Sequence, residues 1–281
     1  MTDKIYFVAD VFAEDIQGGG ELNNEEAINL LCKRGFSVEK KRTTEITRDF
    51  IEENKESKFI IGNFIGLSEE CKKKFSERTS YLIYEHDHKY LLTRDPSGFQ
   101  NYVAPKNQVI NRDFYKKASG VLCQSKLHKE VAFRNLEIDN IHNLGGNLWS
   151  DEILDFLTDL EKKTKAEKYS IWSSTNPIKN TSEVLTYCSA NKIPYDLVGN
   201  LPYKEFLSRL TDNSTFIFLP KTLETLCRVI VEARIAGMRI VTNKNVGATS
   251  EEWFQLKGLA LADRMREKKI EIVDTIVRIL S

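Results

Sequence analysis

The sequence predicts an α/β protein made of two Rossmann-like halves facing each other across a cleft, and three observations predict it. Short apolar runs alternate with amphipathic helical patterns along the whole chain, the signature of βαβ units and parallel sheets. The alternation is interrupted by the turn-rich stretch NLGGNLWS at residues 143–150 and then resumes on the same plan. At 281 residues, the chain suits two domains of roughly 150 residues each.

In the first half, Ile5 to Val8 with Val11-Phe12 is an apolar run, hence a strand. Gly18-Gly19-Gly20 follows as a turn, and Glu21 to Arg34 carries Leu22, Ala27, Leu30 and Leu31 near helical spacing before Gly35 closes the helix. Next come a strand at Phe36 to Glu39, a polar helix near Thr47 to Lys55 and a strand at Phe59 to Ile61. A helix near Ser68 to Arg78 and a strand at Tyr81 to Tyr84 lead into a loop holding Pro96 and Pro105. Helix 111–118, strand Gly120 to Cys123 and helix 125–135 complete this half.

Ser150 is placed to cap the next helix, Asp151 and Glu152 suit its first turn, and Ile153, Phe156, Leu157 and Leu160 form one apolar stripe ahead of the charged run 161–168. The second alternating block reads strand 169–172, helix 181–191, strand 195–198, helix 203–211, strand 215–219, helix 225–236, strand 239–242 and a helical tail. The domain expectation is therefore 1–147, a linker helix over 148–168, and 169–281.

Composition excludes several classes. With 41% hydrophobic and 29% charged residues, 14 Gly and 6 Pro, the chain is neither disordered nor fibrous. Lys+Arg 41 against Asp+Glu 41 leaves no global basic field for nucleic acid or an anionic membrane. Cys32, Cys71, Cys123, Cys188 and Cys227 contain no C-x-x-C pair and are odd in number, as in a reduced intracellular protein. The apolar N-terminal run is too short for a signal peptide and no stretch reaches the roughly 18 apolar residues of a membrane span, so the expected location is cytoplasmic.

Three constellations could carry chemistry. Gly18-Gly19-Gly20-Glu21 would let backbone N–H groups approach a phosphate or sugar at a helix N-terminus, with Gly19 and Gly20 as the contacts. Asn23 stands where a G-x-G-x-x-G fingerprint needs its third glycine, so a nicotinamide cofactor is not expected. In Glu85-His86-Asp87-His88, strand alternation would turn His86 and His88 the same way. No third ligand and no D-x-D pair accompanies them, so no metal is expected. The third, Phe216 to Ala248, runs from a buried strand through Pro220 into a helix with Glu224 at its mouth and Glu232 eight positions on. Helical rise would separate these carboxylates by about 12 Å with about an 80° offset. The amides of Leu226, Cys227 and Arg228 would face a diphosphate at the helix N-terminus.

With Glu224-TLCRVIV-Glu232-Ala233, then Ala236-Gly237 and Ile240-Val241, the sequence resembles a retaining glycosyltransferase of the GT-B fold, similar to glycosyltransferase family 4. The resemblance is strongest over about 170 to 255. It returns at Gly18-Gly19-Gly20-Glu21, at Tyr81 to His86 and at Cys123-Gln-Ser125. It implies that the first half is the acceptor side and the second binds the nucleotide sugar. It further implies that Glu232 binds the ribose hydroxyls, that Glu224 lies near the reacting face of the transferred sugar, and that Lys179 in NPIKN contacts the diphosphate. Two positions depart from the pattern: the family's Arg is replaced by Trp172-Ser173-Ser174, and the small residue after the first Glu is Cys227, followed by Arg228. Arg228 is the candidate to supply that charge. The chain is shorter than most of the group, which implies acceptor-binding loops that are trimmed or contributed by a partner.

The expectation is a transferase moving a sugar from a nucleotide diphosphate sugar to an acceptor hydroxyl, with retention, without metal and with no cofactor beyond the co-substrate. Glu224 and His86 are the catalytic candidates, the latter bonding the donor sugar or reacting phosphate, with His88 competing for that role. Lys179, Arg228, Glu232, Gly19, Gly20, Leu226 and Cys227 are expected to bind donor. A sugar-nucleotide epimerase, a phosphorylase and a non-catalytic nucleotide-sugar-binding module are the alternatives. Glycan, lipid-linked sugar, protein and modified DNA stay open as acceptors. Oligomeric state and a peripheral membrane contact stay open too, while the tandem Trp253-Phe254 is expected mainly in the core.

Overall fold

Six parallel strands build the first sheet of the computed structural model, which describes residues 4–281 apart from the side chain of Arg78. They are β1 (Lys4–Ala9), β2 (Ser37–Arg42), β3 (Lys58–Ile61), β4 (Ser80–Tyr84), β5 (Gly120–Cys123) and β6 (Ile141–Asn143), in the order β2-β1-β3-β4-β5-β6. The helices α1 (Gly19–Lys33), α2 (Arg48–Glu53), α3 (Glu69–Arg78), α4 (Arg112–Lys117) and α5 (Lys126–Leu136) connect them. Both faces of the sheet are covered, which is why the strands read as continuous apolar runs and not as alternation. Tyr6, Val8, Phe59, Ile61, Tyr81 and Ile83 pack on one side, and Ile5, Phe7, Ile60, Leu82 and Tyr84 on the other.

A second unit spans Trp149–Glu267. Its sheet is β7 (Ala166–Trp172), β8 (Tyr195–Val198), β9 (Asn213–Phe218) and β10 (Arg239–Thr242), all pairs parallel, in the order β10-β9-β7-β8. Its helices are α6 (Asp151–Glu161), α7 (Thr181–Ala190), α8 (Tyr203–Leu210) and α9 (Arg228–Ile235), followed by the long α10 (Gly258–Leu280). Ser150 caps α6 by accepting from the Ile153 N–H at 3.3 Å, as its position suggests. Trp253 is buried in this core, and the Arg234 guanidinium lies 4.6 Å from the centre of the Phe254 ring.

Four expectations are corrected. Helix 148–168 does not stand apart as a linker: α6 ends at Glu161, and Leu154, Leu157 and Leu160 are part of the second core. The end of the chain does not stay with the second unit either, because Lys268–Ser281 belongs to the first. There Ile272, Val273, Ile276 and Leu280 join the face made by Ile5, Phe7 and Leu82, and a Cβ on Gly120 would stand 3.1 Å from Ile279. Gly19 and Gly20 are not a turn but the first residues of α1, with Gly18 as its extended cap. The expected helix 225–236 begins only at Arg228. Residues 224–227 are held out of the helix because Glu224 bridges Val246 in parallel, its N–H donating to the Asn245 carbonyl and its carbonyl accepting from the Gly247 N–H, each at 2.9 Å. Cys227 then turns with φ of 73°, so helical rise does not set the distance between Glu224 and Glu232.

Candidate functional site

In the second unit, β7 is paired on one side by β8 and on the other by β9. Chain connections leave such a sheet in opposite directions from this point, so the carboxyl ends of the two central strands open a crevice there. Trp172 ends β7 and Phe218 ends β9, with ring centroids 5.9 Å apart. The Lys179 ammonium stands 5.1 Å from the Trp172 ring centre and 5.7 Å from that of Phe218. Lys179 reaches this place from a short 3-10 turn, Pro177–Lys179, which Asn176 caps by accepting from the Ile178 N–H at 3.2 Å.

Glu224 arrives from the other side of the same opening. Its Oε1 lies 2.8 Å from Lys179 Nζ, and both side chains keep about a fifth of their surface exposed (20% and 19%). Burial draws the Lys179 pKa down, but Glu224 and Cys227 together outweigh it and hold the amine above its ordinary value, charged at neutral pH. Burial pushes the Cys227 thiol well up, and Glu224 adds to the rise while Lys179 opposes it. Lys179, Glu224 and Cys227 therefore share one electrostatic neighbourhood. Leu226 is fully buried and its carbonyl accepts from the Ala248 N–H at 3.0 Å.

Glu232 sits one turn into α9 among three cations and donors. Its Oε1 accepts from the Trp149 indole N–H at 2.9 Å and the Tyr203 hydroxyl at 2.5 Å, and lies 2.8 Å from Arg228 Nε. The Arg228 guanidinium also covers the Trp149 ring at 4.5 Å. Arg228 is thus held between Glu232 and Trp149, and one edge and one face of it are occupied. Trp149 and Tyr203 carry no local sequence signal for this role, since they stand 83 and 29 positions from Glu232.

The first unit brings together Gly20, His86 and two amides. A Cβ on Gly20 would lie 3.4 Å from His86 Cγ, so the glycine admits the imidazole against the start of α1. His86 stacks on Tyr84 at 4.8 Å; its Nε2 faces Asn24 Oδ1 at 2.5 Å and its Nδ1 faces the Gln124 amide nitrogen at 2.6 Å. Gln124 is oriented by its further bond to the Glu85 carbonyl at 3.2 Å, which assigns the proton of a neutral His86 to Nε2. Burial, then the Lys89 charge, bring His86 down to about 3.

His86 and His88 do not point the same way as expected, because β4 ends at Tyr84 and alternation no longer applies. His88 is buried, with Nδ1 2.8 Å from the Tyr90 hydroxyl and its ring edge-on to His128. The carboxylates beside them are taken up by Lys89, whose Nζ is 2.8 Å from Glu85 Oε1 and 2.7 Å from Asp87 Oδ1. Tyr115 bonds Glu85 and Arg94 bonds Asp87. Among the described residues no group of three or more His, Cys, Asp or Glu could hold a metal ion.

No family model matches this chain, and no curated protein does. Solved structures do match. Anabaena HepE in complex with UDP and glucose superposes with a TM-score of 0.56 at 13% identity, over 99% of this chain and 92% of that one. The lipopolysaccharide outer core galactosyltransferase WaaB, in its apo form, gives 0.55 at 12% identity, over 99% and 94%. An alpha-glucosyltransferase in complex with UDP and a 13-mer DNA containing a HMU base gives 0.51 at 11%, over 97% and 95%. At such identities the likeness is one of fold: two Rossmann-like domains of the GT-B class, the architecture the sequence predicts.

Proposed function

We propose that this protein transfers a sugar from a nucleotide diphosphate sugar to an acceptor hydroxyl, with the donor held by the second unit. The observation that carries the reading is the Lys179–Glu224 pair at the opening between β7 and β9, flanked by the rings of Trp172 and Phe218. Structures of the same fold bind UDP or UDP-glucose, which supports a nucleotide-sugar donor here.

The chemistry follows from charge. As the bond to the sugar breaks, negative charge grows on the departing diphosphate while the sugar ring becomes electron-poor. A fixed cation at the phosphates and a carboxylate at the sugar lower the barrier, because both strengthen as charge develops. In this reading Lys179 turns from Glu224 to the diphosphate, and Glu224, so released, meets the hydroxyls of the transferred sugar. Arg228 adds charge at the start of α9 beside Leu226 and Cys227, and Glu232 serves the ribose end. Retention and independence from metal are part of the proposal, as is His86 as the first unit's contribution to turnover, with Gly20 making room for its ring.

A calorimetric and thermal-shift series with UDP-, GDP- and ADP-sugars tests it, since a ligand bound only by the folded state raises its stability. At least one donor should bind and be slowly hydrolysed or transferred. A protein indifferent to all three, with no turnover, would contradict the reading.

A further inference from the structure

On α4, α5 and α10, carboxylates neutralise Arg112 (Glu137, 2.8 Å), Arg134 (Glu130, 3.5 Å) and Lys268 (Glu271, 2.7 Å). Lys129 on α5 and Arg278 in the last turn of α10 differ. Both are exposed and, among the described residues, neither has a carboxylate within ion-pair distance. Both act on His142, the middle residue of the edge strand β6, which pairs in register with Leu122 of β5. A Cβ on Gly120, which opens β5, would stand 3.2 Å from His142 Cδ2 and 3.1 Å from Ile279. The imidazole and the last turn of α10 therefore meet over a glycine that has no side chain to part them. Arg278 is the neighbour of Ile279, and α5 packs along β6. Burial, then Arg278, then Lys129, hold the half-buried His142 below its ordinary value. The helix dipole accounts for Arg278 alone, since the carboxyl end of α10 favours a cation. Lys129 is the fourth residue of α5, near its positive end, and the first turn of that helix holds no acidic residue; the field there favours an anion.

We propose that Lys129, His142 and Arg278 form a binding site for a phosphate group, carried by inorganic phosphate or by a lipid headgroup, at the β6 edge of the first sheet. Arg278 supplies a planar fork and Lys129 a point charge, and His142 takes up a proton from solvent as the anion arrives. The site lies two strands from β4, which leads into His86, and is independent of the donor assignment. Residues 268–281 return to the first unit after the second, so a bound phosphate ties the end of the chain to the sheet it covers.

Nuclear magnetic resonance on the full chain with labelled histidine tests it, His142 being assigned by the signal missing from His142→Gln. At constant ionic strength set with chloride, inorganic phosphate should move the His142 signal saturably and raise its pKa. Lys129→Gln and Arg278→Gln should each weaken phosphate binding roughly threefold to tenfold, a value between a surface ion pair and a buried charge-assisted bond. Arg48→Gln on α2, an equal loss of charge from another exposed cation, should leave it unchanged. A His142 signal that phosphate moves no further than chloride does overturns the proposal, and so does an equal weakening by all three substitutions. Where phosphate acts, cosedimentation with phosphatidylcholine vesicles containing phosphatidic acid identifies its source. A lipid headgroup is the ligand if wild type is brought down and Arg278→Gln is not; soluble phosphate is the ligand if the two proteins behave alike. Either result upholds the site.

Discussion

Replacing Lys179 by Met removes the ammonium but keeps an apolar stem against Trp172 and Phe218. A charge-assisted bond to phosphate is worth roughly 1.5 to 3 kcal/mol. Lys179 is already paired with Glu224 at 2.8 Å, however, and a pair that water reaches recovers about 0.5 to 1 kcal/mol when left alone. The net loss in diphosphate affinity should be about 1 to 2 kcal/mol, or roughly fivefold to thirtyfold. Titration calorimetry with UDP and with uridine separates the charge from the base: UDP should weaken by that factor, and uridine should not change. The variant also leaves Glu224 without its cation, at a stability cost on the order of 1 kcal/mol. Adding Glu224→Gln should recover that stability and leave UDP affinity low. Wild-type UDP affinity in Lys179→Met, or its recovery in the double variant, would refute the assignment of Lys179 to the phosphates.

Glu224→Gln alone should lower kcat by about tenfold for each 1.4 kcal/mol of transition-state stabilisation removed, with little change in UDP affinity, read by steady-state kinetics beside calorimetry. Turnover should survive EDTA; abolition by EDTA with rescue by Mg²⁺ or Mn²⁺ would contradict the metal-independent proposal. His86 has a folded-state pKa of about 3, below the ordinary value of about 6.5. Between these values the unfolded chain takes up the proton and the folded one does not, so stability is full above about pH 6.5 and is lost as pH falls toward 3. Melting temperatures of wild type and His86→Gln across that window should show the shallower decline in the variant, and parallel curves would contradict the cause assigned here.

The alternation of elements was legible because both sheets are parallel and the central strands of the first are buried on both faces, so apolar runs such as Phe59 to Ile61 announce themselves. Strand β6 escaped: it has three residues and only Ile141 is apolar. Lys179 and Glu224 were legible through the family resemblance, and the structure brings them into contact. The conformation of residues 224–227 was not, since its cause is backbone pairing with 245–248, outside any local window, whereas the local composition favours helix. Tyr203 and Trp149 were hidden for the same reason: what makes them notable is a carboxylate far along the chain.

The passage of α10 into the first unit bears on how the chain comes to be folded during synthesis. The face formed by Ile5, Phe7, Leu82 and Tyr84 is closed in part by Ile272, Val273, Ile276 and Leu280. At roughly 5 to 20 residues per second, the roughly 120 residues of the second unit take on the order of 6 to 24 s to emerge. Throughout that time the first sheet has been translated but lacks part of its apolar cover. The second unit is therefore the one able to mature first, although it is made later. The N-terminal half waits for residues 268–281, and until they arrive that sheet face has only the part of its cover that Ala27, Ile28 and Leu31 of α1 supply.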